Sequence, residues 1–140
     1  MYKKTLLSLL LVLFSILKIS ANEISFTVEI RGITVNGGVI YGAIYSNNTN
    51  YRNHVPEYAF QGNSINEVMQ FNLNIPPGEY VIEVYQDSNN NGSLDFGIFN
   101  IPREPVGITN FNGRGIPGNF NRQKVLINNG SIIIIQMYKL

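Results

Sequence analysis

At 140 residues and with no cysteine, the chain is sized for one hydrophobic core and is barred from disulfides, thiolate metal sites and lipid attachment through cysteine. Its formal charge of +1 turns negative, near −2, once Lys3, Lys4 and Lys18 are set aside, because seven basic residues then face nine acidic ones. No basic run and no aromatic-plus-arginine platform accompanies that balance, so nucleic acid is not an expected partner.

The N-terminus opens with a basic stretch, Met1 to Lys4, continues as an apolar run from Leu6 to Leu17, and closes on Lys18-Ile-Ser-Ala21. This is the pattern of a secretory signal peptide over residues 1–21. The run is shorter than the ~20 apolar residues that span a bilayer, so no transmembrane span is expected after cleavage. Residues 22–140 are then expected as a single domain outside the cytoplasm, in the periplasm or secreted.

From Glu23 to Arg31 apolar and polar residues alternate, the mark of a half-buried strand. Asn36-Gly37-Gly38 reads as a hairpin turn that pairs this strand with the next, Val39 to Tyr45. Residues 46–63 show no clean period and read as an excursion, with a helical turn near Pro56 to Phe60. Ile65 to Leu73 resumes strand character, and Pro76-Pro77-Gly78 turns the chain into Tyr80 to Gln86 as a tight connection between antiparallel strands. Asp87 to Asn121 is rich in glycine and proline without a periodic segment, a loop long enough to require function or internal bracing. Val125 to Ile127 and Ile132 to Tyr138 suggest a last hairpin about Asn128-Asn129-Gly130, and the unbroken Ile132 to Ile135 suggests a strand covered on both faces. The expected fold is all-β: an antiparallel β-sandwich of about seven strands with one long Gly/Pro-rich loop.

The stretch with chemical content is Asp87-Ser-Asn-Asn-Asn-Gly-Ser-Leu-Asp95, which holds the only two aspartates in the chain. Oxygen-bearing side chains at alternate positions, then a glycine at the sixth place, are what a hard cation needs from a continuous loop. Asp87, Asn89, Asn91, Ser93 (through its carbonyl) and Asp95 are the candidate ligands, and Ca²⁺ is the expected ion. The twelfth position is Ile98, where an EF-hand has glutamate, so the loop is not an EF-hand. A plain asparagine-rich turn, its side chains bonded to their own backbone, is the competing reading.

These residues also carry a likeness. Pro76, Pro77, Gly78 and Tyr80, then Asp87, Asn89, Asn91, Gly92, Leu94 and Asp95, then Pro102, Glu104, Gly107, Asn110, Gly115, Pro117 and Phe120 resemble the pattern of a family of small exported bacterial proteins known only as a domain of unknown function. That pattern runs P-P-G-x-Y, then H-D-x-N-x-N-G-x-L-D, then a stretch ending near P-x-F. Gln86 stands where the family has histidine, and Thr109 where it has serine. The resemblance implies an exported Ig-like or transthyretin-like sandwich and no reaction.

Other candidates are weaker. His54, the only histidine, lies beside Glu57 with no second histidine or cysteine, and reads as a surface residue. Glu104 is either a late metal ligand or the partner of Arg103, and a structural role is favoured because the long loop must fold back on something to stay ordered. Tyrosines 41, 45, 51, 58, 80 and 85 offer a carbohydrate platform, or simply cross-strand packing. No nucleophile, base and orienter constellation is present, so no catalytic residue is assigned. The expected function is a binding or structural module of the cell envelope, meeting an envelope protein or a glycan. The alternative is a metal-assisted extracytoplasmic enzyme, which needs acids beside the loop and finds only Glu104 and Glu83.

Overall fold

The computed structural model describes residues 22–140, so the stretch read as a signal peptide lies outside the described residues. Eight strands form two sheets. β1 (Ile24–Arg31) alternates as its sequence demands, with Phe26, Val28 and Ile30 buried. It is the middle of a three-stranded sheet, antiparallel to β4 (Val68–Ile75) and parallel to β8 (Ile132–Gln136). The second sheet runs in the order β3 (Tyr58–Asn63), β2 (Val39–Tyr45), β5 (Gly78–Asp87), β6 (Val106–Ile108). β7 (Val125–Ile127) pairs with the opening residues of β5. The all-β sandwich is thus present, with one parallel pair among the antiparallel ones.

Phe26, Val28 and Ile30 meet Ile40, Ile44, Ile82 and Val84 in the main core. Side chains of this size contribute about 1.5–3 kcal/mol each when fully buried. Because β2 and β5 alternate, their other faces carry Tyr45 and Val81, which join Tyr51, Ile108 and Phe120 in a second apolar cluster. Two single-turn helices, α1 (Asn48–Arg52) and α2 (Phe120–Gln123), supply Tyr51 and Phe120 to it. Each starts at an asparagine cap: Asn47 Oδ1 accepts from Asn50 N at 2.9 Å and Asn119 Oδ1 from Arg122 N at 3.2 Å.

The connections differ from the sequence expectation in physically readable ways. β1 and β2 are not a hairpin: β2 pairs with β3 and β5, and residues 32–38 carry the chain from one sheet to the other with Ile33 buried on the way. The turn itself exists, with φ of 56° at Asn36 and 107° at Gly38. A Cβ at Gly38 would stand 1.9 Å from the Asp87 carbonyl oxygen, so only glycine lets this turn lie against the end of β5. Pro76-Pro77 likewise passes between sheets rather than joining paired neighbours. The Tyr80 hydroxyl donates to the Pro76 carbonyl at 2.9 Å, folding the ring back over that passage. β7 and β8 are not a hairpin either, since β7 adds to β5 and β8 to β1.

The stretch 46–63 holds its helical turn at α1, earlier than expected, and Tyr58–Asn63 is a strand. β6 lies inside the expected loop, three residues long and buried throughout. Ile132 and Ile134 are 62% and 53% exposed rather than covered, because β8 is the edge of its sheet and its outer side faces solvent.

Candidate functional site

β5 delivers Asp87 from an interior strand of the second sheet to the start of the loop, and the loop folds around it. Asp87 is 1% exposed; its Oδ1 accepts from Asn91 N at 3.1 Å and its Oδ2 from Gly92 N at 2.7 Å. The carboxylate therefore holds the reversal from inside, by charge-assisted bonds to backbone N–H groups. Asn89 Oδ1 accepts from Asn91 N at 3.2 Å and Asn91 Oδ1 from Ser93 N at 2.9 Å, two further turns of the same kind. Asn90 and Gly92 take φ of 56° and 78°, the left-handed conformation that asparagine and glycine tolerate.

On the other side of the loop three side chains meet at one point. Asn89 Nδ2 donates to Asp95 Oδ2 at 2.6 Å and Asn91 Nδ2 donates to the same oxygen at 2.9 Å. Of the five candidate ligands the fold thus gathers Asn89, Asn91 and Asp95 at their tips, turns the Asp87 carboxylate onto the loop's amides, and engages Ser93 through its backbone N–H. Among the described residues no group of three or more His, Cys, Asp or Glu gathers at one point. Any cation here would depend on neutral amide oxygens as much as on carboxylates.

Glu104 takes the bracing role, through backbone groups of the loop rather than through Arg103. It is 4% exposed, and its two oxygens accept from Ser88 N at 2.8 Å and Asp95 N at 3.1 Å, clasping both ends of the loop. Arg103 N adds a bond to the Asp95 carbonyl at 2.9 Å. Glu104 sits between Pro102 and Pro105, in a segment whose backbone is already restricted.

Gln86 and Thr109 have structural roles. Gln86 is fully buried, and its amide grips both backbone groups of Thr34. The Thr109 hydroxyl accepts from Ile82 N at 3.2 Å, a role that serine fills equally. Tyr41 and Tyr85 stack on one another with ring centroids 5.3 Å apart and an interplanar angle of 22°. Each ring covers a face of the other, which is cross-strand packing and not an open sugar platform.

The acids named for the enzyme alternative are not beside the loop as free groups. Glu104 is spent on the clasp, and Glu83 lies four residues back along β5, about 13 Å away. Glu83 instead faces Tyr45, Tyr51 and His54, with His54 Nδ1 at 3.8 Å from its Oε2. Burial pushes the Glu83 carboxyl upward, opposed by Tyr45 and His54, and burial also raises both tyrosines. A folded-state value raised above the unfolded one contributes stability that is full below the ordinary carboxylate range and is lost as pH rises through the folded value. Glu83→Gln, which stays neutral, should therefore gain stability relative to the parent between pH 4 and pH 7. Melting temperatures of both proteins across that range check it, and a relative loss would show that the charged carboxylate is the favoured form.

Beside the loop, Asn36, Gly38, Asn63, Ser64 and Asn90 line a shallow depression of about 230 Å³. That is smaller than the roughly 300–1,000 Å³ of small-molecule sites, and it suits contact with a surface better than enclosure of a substrate.

Two facing sheets, with an aspartate-anchored turn clasped at the end of an interior strand, define an all-β sandwich protein. A family model described as "Uncharacterized protein conserved in bacteria (DUF2141)" matches residues 28–134, and the chain belongs to that family. No curated protein and no solved structure matches it. Among the described residues no helix is long and apolar enough to cross a membrane.

Proposed function

We propose that the protein is an exported binding or structural module of the bacterial envelope, in which the Asp87 to Asp95 loop takes Ca²⁺ and so braces the 87–121 excursion for contact with an envelope protein or glycan. The observation that carries this reading is the convergence of Asn89, Asn91 and Asp95 on one oxygen. A half-turn of each amide presents Oδ1 in place of Nδ2 and makes the same three tips an oxygen set, at the cost of the bonds that Asn89 Oδ1 and Asn91 Oδ1 accept from Asn91 N and Ser93 N. Asp87 and the Ser93 carbonyl complete the donors, and Glu104 holds the loop ends at fixed separation. Export is supported by the basic, apolar and small-residue order of residues 1–21.

With two formal charges, the dissociation constant should fall near ~0.1–1 mM, the range of extracellular modules. At ~1 mM Ca²⁺ and the tighter limit, linkage adds about 1.4 kcal/mol. The melting temperature should then rise by roughly 4–8 °C. Chelator should abolish the rise, as should Asp95→Asn, whereas Asn63→Ala, outside the loop, should keep it. Mg²⁺ should act more weakly because it surrenders its water reluctantly. A melting curve unmoved between excess chelator and about 10 mM Ca²⁺ would return the loop to an ordinary asparagine-rich turn.

A further inference from the structure

We propose that the protein associates as a two-fold dimer through β8, each copy laying the Ile132 to Ile134 stretch of that strand antiparallel to the other's, so that two three-stranded sheets become one of six strands. β8 has a single neighbour, β1, and the pair is parallel. In a parallel pair alternate residues bond to the neighbour while those between turn their N–H and C=O away. The Ser131 carbonyl accepts from Thr27 N and Met137 N donates to the Arg31 carbonyl, each at 2.9 Å, so the odd-numbered residues face β1. Ile132 and Ile134 therefore turn their backbone groups to the open edge.

Further along, the edge is covered. A Cβ at Gly107 of β6 would lie 2.7 Å from the Gln136 carbonyl oxygen, and Tyr138 pairs with Val106. The opening is thus a short window at Ile132 to Ile134. Sheet edges in proteins are normally guarded by lysine, proline, a bulge or an inward charge. This one has none: the register with β1 is continuous, and no charged residue or proline occurs between Lys124 and Lys139. The opposite edge of the same sheet, β4, turns Gln70, Asn72 and Asn74 outward. Only β8 combines unpaired backbone with exposed isoleucines.

The window is complementary to itself. With a two-fold axis through Ile133, Ile132 of one copy faces Ile134 of the other twice over, and the two residues of each pair exchange both backbone bonds. The exposed isoleucine side chains then cover one another as cross-strand pairs, and no like charge opposes the approach. The chemistry of the window thus selects a neutral strand of the same sequence.

Sedimentation of the purified protein from about 1 to 200 μM, the affinity range of a small interface, tests this. The parent should shift from monomer to dimer with concentration, and the Ile132 and Ile134 amides should exchange more slowly as it does. Ile134→Lys, at a solvent-exposed position, should keep its circular dichroism and remain monomeric throughout. Ile132→Thr should weaken association at least ~10-fold, keeping the test valid should the lysine variant misfold. Asn72→Lys, on β4, should dimerise like the parent. A monomeric parent would overturn the proposal, whether or not the edge captures an unrelated strand. So would open-ended polymers, unaltered dimerisation of Ile134→Lys, or a dimer in which the two amides stay fast.

Discussion

Replacing Glu104 by alanine is expected to remove about 3–5 kcal/mol of unfolding free energy, since each of its two charge-assisted bonds is worth roughly 1.5–3 kcal/mol. The Glu104 oxygens are the acceptors of Ser88 N and Asp95 N, at the entrance and exit of the loop. Truncation leaves both part-buried donors without their charged acceptor. Set against the 5–15 kcal/mol typical of a folded domain, that is a large share. Glu104→Gln keeps one good acceptor and turns an N–H₂ toward the other donor, so its loss should fall between parent and alanine. Urea unfolding in chelator isolates this effect from any bound cation. A loss below about 1 kcal/mol for the alanine variant would show that the loop is held by its internal turns alone. Limited proteolysis adds a local readout, because unclasping should open the segment around Ile98, Phe99 and Ile101, whose side chains are already exposed.

The alternation of β1 was legible because the strand has one core face, and the period of two survives translation into burial, whereas β5 packs apolar residues on both faces. Pairing was not legible. The Asn36-Gly37-Gly38 signal marks a real reversal, but a turn sequence describes local dihedrals and does not say whether the strands it joins share a sheet. Here Ile33 buries itself on the way across, and that long-range contact decides the topology. β3 was hidden because its inward positions are Tyr58, Phe60 and Gly62, and a glycine under the Phe71 ring erases the apolar period. β6 is three residues long, too short to show any period. At the loop, the spacing of Asp87, Asn89, Asn91 and Asp95 was legible as a local pattern; the structure gathers Asn89, Asn91 and Asp95 at their tips and turns Asp87 onto the loop's amides. The clasp by Glu104 was not, since it depends on a second segment folding back, and the two backbone N–H groups it serves leave no trace in side-chain identity.

Gln86→Leu should cost about 1–3 kcal/mol, because two bonds from a fully buried amide to the Thr34 backbone are lost at once and each is worth roughly 0.5–1.5 kcal/mol. Gln86 Oε1 accepts from Thr34 N at 3.0 Å and its Nε2 donates to the Thr34 carbonyl at 2.7 Å. One side-chain amide thus does for Thr34 what a neighbouring strand would do, and it does so where the chain passes from one sheet to the other. Leucine has nearly the same volume and is apolar, so a small loss would mean that burial at this position matters and the paired bonds do not. The approach of Gly37 sharpens the argument: a Cβ there would come 2.8 Å from Gln86 Nε2, so the crossing is fitted closely around this amide. Gln86→His should be milder than leucine. A neutral imidazole has one donor and one acceptor pointing away from each other, so it can keep one of the two bonds but not both. The order parent, histidine, leucine in chemical unfolding, with unchanged denaturant slopes, would establish that position 86 is a structural bridge. A histidine variant less stable than leucine would break that order and assign the position to packing.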